Sequence, residues 1–101
     1  MINVIASIQV KEGQAAEFIE IFKSNVPKVL AEEGCIAYAP TQDVPTDIAV
    51  QELNPNVVTI IEKWESLEAL QAHLSAPHML EHREKVKDLV DSVSLKVLQE
   101  A

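Results

Sequence analysis

Val57-Val58-Thr59-Ile60-Ile61-Glu62-Lys63-Trp64-Glu65-Ser66 is rich in β-branched and aromatic residues up to Trp64 and then breaks to a polar pair. Strand alternation puts Val58, Ile60, Glu62 and Trp64 on one face and Val57, Thr59 and Ile61 on the other. Both faces are largely apolar, which predicts that both are covered. Ser66 is a good N-cap for a short helix carrying Leu67, Leu70 and Leu74 on its inner face. Ser75 followed by Pro77 restarts a second helical piece with Met79, Val86, Leu89 and Val90. A buried strand that feeds directly into a broken helix is one half of a layered α+β unit.

The other half lies upstream. Ile2, Val4, Ala6, Ile8 and Val10 are apolar at every even position, while Asn3, Ser7 and Gln9 interrupt the odd set, so Ile2 to Val10 reads as a strand with one committed face. After the turn Lys11-Glu12-Gly13, the residues Ala15, Phe18, Ile19, Phe22, Val26, Val29 and Leu30 recur every three or four positions, predicting an amphipathic helix from about Gln14 to about Glu32. Pro27 lies inside it, and a helix-interior proline costs ~3 kcal/mol, so a kink or break is expected near Lys23 to Val26.

Gly34 stops the helix, and Cys35 to Ala39 begins a second strand with Ile36 and Tyr38 on one face and Cys35, Ala37 and Ala39 on the other. Pro40 to Asn56 suits a loop, within which Ile48 to Leu53 has the composition of a short edge strand. Ser92 to Gln99, with Val93, Leu95 and Val97 alternating, closes the chain as a fourth strand. The order is βαββαβ with the second helix in two pieces, a ferredoxin-like α+β domain. Its helices cover one sheet face, so the bare face is expected to meet its copy in a two-fold homodimer.

A chain of 101 residues, 48% apolar, suits one domain over residues 1–101. Its net charge of −8, from 8 Lys plus Arg against 16 Asp plus Glu, repels phosphate backbones and anionic lipid, which argues against nucleic acid and membrane surfaces as partners. No apolar run approaches the ~20 residues of a membrane span, and the start of the chain lacks a basic region with a cleavage site, so a cytoplasmic location is expected. Cys35 is the one cysteine, without a basic neighbour in sequence, and reads as a small buried filler.

His78 and His82, spaced i, i+4, share a helix face that is able to chelate a metal if His73 or Glu81 joins them, but no HExxH motif or cysteine pair supports a metal site. The serines lack a glycine-flanked elbow, and two glycines, Gly13 and Gly34, cannot build a phosphate-cradling loop for a nucleotide, flavin or nicotinamide. No cofactor is expected. Singly, Asn3, Tyr38, Glu62 and Trp64 have ordinary structural uses, as a strand end, a core cap, a surface ion pair and packing mass. Together, a phenol, an indole, an imidazole and an amide around small residues suit a flat ligand.

Glu62-Lys63-Trp64-Glu65-Ser66, the acidic helix start, His73 and Ser75-Ala76-Pro77-His78-Met79 resemble the signature of the antibiotic biosynthesis monooxygenase superfamily, whose members are dimeric ferredoxin-like α+β barrels. Glu32-Glu33-Gly34-Cys35-Ile36-Ala37-Tyr38-Ala39-Pro40 is similar to the small bacterial quinol monooxygenases within it. The likeness runs from Ile2 to Gln99 and is most specific from His73 to Met79.

The resemblance implies oxidation of a quinol or related polycyclic phenol by O₂ without metal or flavin, the substrate anion itself reducing oxygen. It further implies His73 as base with His78 second, Asn3 as donor to a substrate or peroxide oxygen, and Trp64 and Tyr38 flanking the ring. Glu62, His78 and Met79 join Tyr38 as substrate-binding residues. Other proteins of this fold degrade haem, isomerise a phosphorylated hydroxy-dione or have no assigned activity, so a non-catalytic small-molecule binder and a phosphorylated-dione isomerase are the alternatives. The isomerase needs basic residues for a phosphate, and the chain has one arginine, Arg83.

Overall fold

A computed structural model describes residues 1–101. Its elements are β1 (Ile2–Val10), α1 (Ala15–Leu30), β2 (Cys35–Thr41), β3 (Val57–Trp64), α2 (Leu67–Leu74), α3 (Pro77–Val86) and β4 (Val90–Leu98). The four strands form one sheet in the order β2-β3-β1-β4, every neighbouring pair antiparallel. This is the ferredoxin-like α+β arrangement that the alternation of elements predicts.

The core forms where the committed strand faces meet the helices. Val4, Val10, Val58, Ile60 and Trp64 are buried from the sheet, and Phe18, Phe22 and Val29 from α1. Register fixes these faces, because residues opposite one another share a side: Val4 lies against Glu62 and Ala6 against Ile60. The opposite face carries Asn3, Ile5, Ser7 and Gln9 against Lys63, Ile61, Thr59 and Val57, which are half-buried or, at Ile61 and Lys63, exposed. No helix is long and apolar enough to cross a membrane.

Local structure departs from expectation in five places. Helix α1 runs unbroken through Pro27, which sits in its last turn; its carbonyl still accepts from the Ala31 amide at 3.2 Å, so only the bond its missing N–H would make is lost. In β2 the register slips between Cys35 and Ala37. Ile36 is the extra residue of this bulge and is exposed, while Cys35 and Tyr38, opposite Trp64 and Glu62, share the helix-facing side. The same strand extends through Pro40 to Thr41, which an edge strand tolerates.

Ile48 to Leu53 forms no strand; the loop is held by side chains, among them Asp43, whose carboxylate accepts from the Asn54 amide at 2.8 Å. Ser66 caps α2 as expected, accepting from the Ala69 amide at 3.2 Å, but of its three leucines only Leu70 is buried. Helix α3 stops at Val86 and Val90 already belongs to β4, so Leu89 and Val90 pack on the core from a turn and a strand instead of a helix.

Strand β4 overhangs the helical layer. Val93, Leu95 and Val97 lie opposite Ile8, Ala6 and Val4, hence on the helix-facing side, yet they remain 57%, 49% and 48% exposed. The space beneath this overhang is the mouth of an apolar cavity.

Candidate functional site

Between the helices and the overhanging β4 lies a cavity of about 350 Å³ with mainly apolar walls. Strands contribute Ala6, Ile60, Tyr38 and Glu62; α1 contributes Phe18 and Phe22; α2 and α3 contribute His73, Met79, His82 and Arg83. Spacing explains the helical contributions, since Phe18 and Phe22, and likewise Met79 and Arg83, are four residues apart and fall on one face. Tyr38 and Phe22 stack with ring centroids 5.2 Å apart and planes 16° from parallel, a flat wall.

His73 stands edge-on to Tyr38, at 5.4 Å between centroids, and is almost wholly buried. Its Nδ1 donates to Glu32 Oε2 at 2.8 Å, and His78 Nε2 donates to the same oxygen at 2.8 Å. With Nδ1 engaged, Nε2 is the nitrogen of His73 that remains for a ligand, and the neutral ring presents a lone pair there. Burial lowers the pKa of His73 from the usual imidazole value, with the Glu32 bond opposing the shift. Imidazole held neutral against a carboxylate is the arrangement of a general base.

Glu62 is buried in the cavity wall, and its Oε1 accepts from Trp64 Nε1 at 3.0 Å. Burial, with Glu32 adding to it, raises its pKa above the usual carboxylate value against the Trp64 bond. Tyr38 is pushed up from its usual phenol value by burial and then by Glu62 and Glu32, and so stays a hydroxyl donor. The Cys35 thiol is raised to about 11 by burial, then by Glu32 and Glu62, which leaves it inert, in keeping with a filler.

The structure brings His73, Tyr38, Glu62 and Met79 together around the cavity and separates three other residues from it. Asn3 lies opposite Lys63 on the far face of the sheet, because β1 alternates and its buried face belongs to Ile2 and Val4. It does not reach the cavity. Trp64 is fully buried behind His73, ring centroids 4.7 Å apart, so it orients the imidazole and Glu62 without flanking a ligand. His78 turns to Glu32 and to a small polar cleft with Ser24, Lys28 and Glu81.

Periodicity alone did not single out Glu32, which sits in the turn after α1 and meets His73 across 41 residues of sequence. His82, weighed from its spacing as a chelator beside His78, instead packs edge-on against Phe22 at 5.4 Å, its Nδ1 buried without a partner. Phe18 and Phe22 read as core and turn out to be core and wall at once; a helix stripe facing a cavity has no different signature from one facing a filled core.

Residues 1–85 match the sequence pattern of a family described as antibiotic biosynthesis monooxygenase. The chain is 40% identical over 101 residues, spanning 98% of this chain and 97% of the other, to an Escherichia coli K12 protein named probable quinol monooxygenase YgiN. Among solved structures it is similar to a conserved protein of Methanosarcina mazei Go1, with a TM-score of 0.84 at 28% identity over 99% of this chain and 92% of that one. A protein of Shewanella oneidensis gives a TM-score of 0.77 at 28% identity over 96% and 87%.

Proposed function

The chain belongs to the antibiotic biosynthesis monooxygenase family, and from that premise we propose that it is a cofactor-independent monooxygenase oxidising a quinol or related polycyclic phenol with O₂. The observation that carries the proposal is the hydrogen bond from His73 Nδ1 to Glu32 at the wall of an apolar cavity faced by the stacked Tyr38 and Phe22 rings. A quinol is a poor reductant of oxygen until it loses a proton. His73 Nε2 takes that proton, and Glu32 steadies the imidazolium that results.

The flat wall of Tyr38 and Phe22 suits the plane of the ring, and Met79 fills the edge, its sulfur fixed by Asn25 Nδ2 at 3.3 Å. Arg83 and Lys87 line the same cavity and favour the anion over the neutral phenol. The catalytic set is therefore His73 with Glu32 behind it, and the substrate-binding set is Tyr38, Glu62 and Met79. Trp64 stands behind His73 and Glu62, His78 shares Glu32, and Asn3 lies on the far face of the sheet.

The protein acts in the cytoplasm as one domain over residues 1–101, paired with a second copy of itself. The exposed Val93, Leu95 and Val97 favour pairing along the helix-facing side of β4 and not, as the sequence leads one to expect, through the bare face of the sheet, since a partner laid along β4 buries three apolar side chains and closes the cavity mouth that Val93 and Leu95 line.

Oxygen uptake with a chemically reduced naphthoquinone tests the activity. Uptake above the autoxidation rate is expected, falling ~100-fold or more in His73→Ala. A planar ligand that binds without oxygen consumption, unaffected by His73→Ala, identifies a binding protein instead.

A further inference from the structure

Glu62 is a carboxyl in a place where charge is costly. It is 6% exposed and lines the cavity, and none of the three ion pairs in the molecule includes it. Its one hydrogen bond comes from the neutral Trp64 Nε1 to Oε1, which leaves Oε2 open to the cavity. Burial in such surroundings disfavours the charged form and raises the pKa of the carboxyl above its ordinary value. Opposite it on β2 is Tyr38; Glu32 follows α1; His73 faces in from α2, and His82, Arg83 and Lys87 from α3 and its end. The neighbours that act on it most are Trp64, which favours the anion, and Glu32, which opposes it.

We propose that Glu62 is the proton donor of the reaction, a carboxylic acid that protonates the peroxide formed when the substrate anion combines with O₂. This rests on the quinol-oxidising function proposed above. His73 and Glu62 then form a matched pair in one cavity, a base that takes the phenolic proton and an acid that gives one to the peroxide. Trp64 is the positioning residue, holding Oε1 so that Oε2 carries the proton.

The steps balance. His73 Nε2 removes the phenolic proton; the ring anion supplies two electrons to O₂, and a ring C–O bond forms to leave a peroxide anion. The Glu62 O–H bond breaks, and its proton goes to the distal peroxide oxygen. The ring C–H proton then returns to Glu62, a C=O bond forms, and the O–O bond breaks. Hydroxide leaves and takes the proton held by His73, so the products are a hydroxylated quinone and one water, with both side chains restored.

The test uses Glu62→Gln, which keeps the shape and the oxygen that accepts from Trp64 but cannot hand over a proton. With a reduced naphthoquinone under argon, the variant is expected to generate the phenolate absorbance seen in the wild type. In air it is expected to form hydroxylated product ~100-fold more slowly and to release hydrogen peroxide instead. Infrared spectra of the wild-type protein without ligand supply a second readout: a protonated-carboxyl stretch at neutral pH, shifted in D₂O and missing in Glu62→Gln.

Product formation by Glu62→Gln at the wild-type rate overturns the assignment, as does a wild-type spectrum without that stretch, and the role of His73 survives either result. No phenolate in the wild type removes the base, and with it the acid that follows it.

Discussion

Glu32 organises the site at the scale of single residues, because one carboxylate oxygen receives both His73 and His78. Glu32→Gln replaces an anionic acceptor by a neutral one, so the imidazolium formed during turnover loses its counter-charge. Oxygen uptake is expected to fall ~10-fold or more, less than in His73→Ala, with ligand affinity nearly unchanged. The uptake rate is also expected to decline in acid, with its midpoint below the ordinary imidazole value of 6.5, because burial lowers the pKa of His73.

His82 is held neutral by burial first and by Arg83 and Lys85 next, which lowers its pKa from 6.5. Below pH 6.5 the unfolded chain binds a proton that the folded chain resists, so this contribution to stability is complete above 6.5 and shrinks as pH falls toward the folded value. Glu62 works in the opposite sense: its raised pKa lets the folded chain keep a proton above pH 4.5, and stability declines as pH rises from there to the folded value. His82→Leu removes an unpartnered buried nitrogen. Stability at pH 7 is expected to stay level or rise by up to ~1 kcal/mol, and the decline below pH 6.5 to flatten, both read from thermal melts. A loss above ~2 kcal/mol assigns the ring a partner.

At the scale of elements, the junction after α1 decides the geometry. Gly34 has φ +85°, its carbonyl accepts from the Glu65 amide at 2.8 Å, and a Cβ added there lies 2.6 Å from Ala69 Cβ on α2. The turn bearing Glu32 is thereby pressed against the helix bearing His73. Gly13, at φ +78°, has open space around the same position. Gly13→Ala is expected to cost ~1 kcal/mol, the backbone price alone, and Gly34→Ala ~2 kcal/mol or more, with a matching loss of activity. Chemical denaturation of both measures the difference; equal costs show that the contact with α2 yields freely. The bulge at Ile36 matters in the same way, for without it Tyr38 and Cys35 fall on opposite faces.

The whole molecule is a slab whose helices cover three strands and leave β4 bare on its apolar side. Sedimentation is expected to give a dimer at micromolar concentration. Leu95→Lys, which sets a charge among Val93, Val97 and the cavity mouth, is expected to give a folded monomer with weakened substrate binding. A wild-type monomer under the same conditions refutes pairing along β4.

Much was legible in the sequence by itself. Alternation in Ile2 to Val10 and Val57 to Trp64, the three-and-four spacing from Ala15 to Leu30, and the stops at Gly34 and Pro77 determined the element order, the buried faces and so the ferredoxin-like fold, because each is a local consequence of backbone geometry. His73, Tyr38, Glu62 and Met79 were also within reach, through the resemblance of Glu62 to Met79 and of the segment around Tyr38 to the antibiotic biosynthesis monooxygenase superfamily. What sequence spacing cannot carry is which turn meets which helix. The tertiary structure alone decided that Glu32 bonds His73, that Trp64 stands behind the imidazole, that Asn3 faces away and that β4 overhangs a cavity. Those outcomes depend on a one-residue bulge, a close approach at one glycine and the reach of a helical layer, and each is set by packing between segments far apart in the chain.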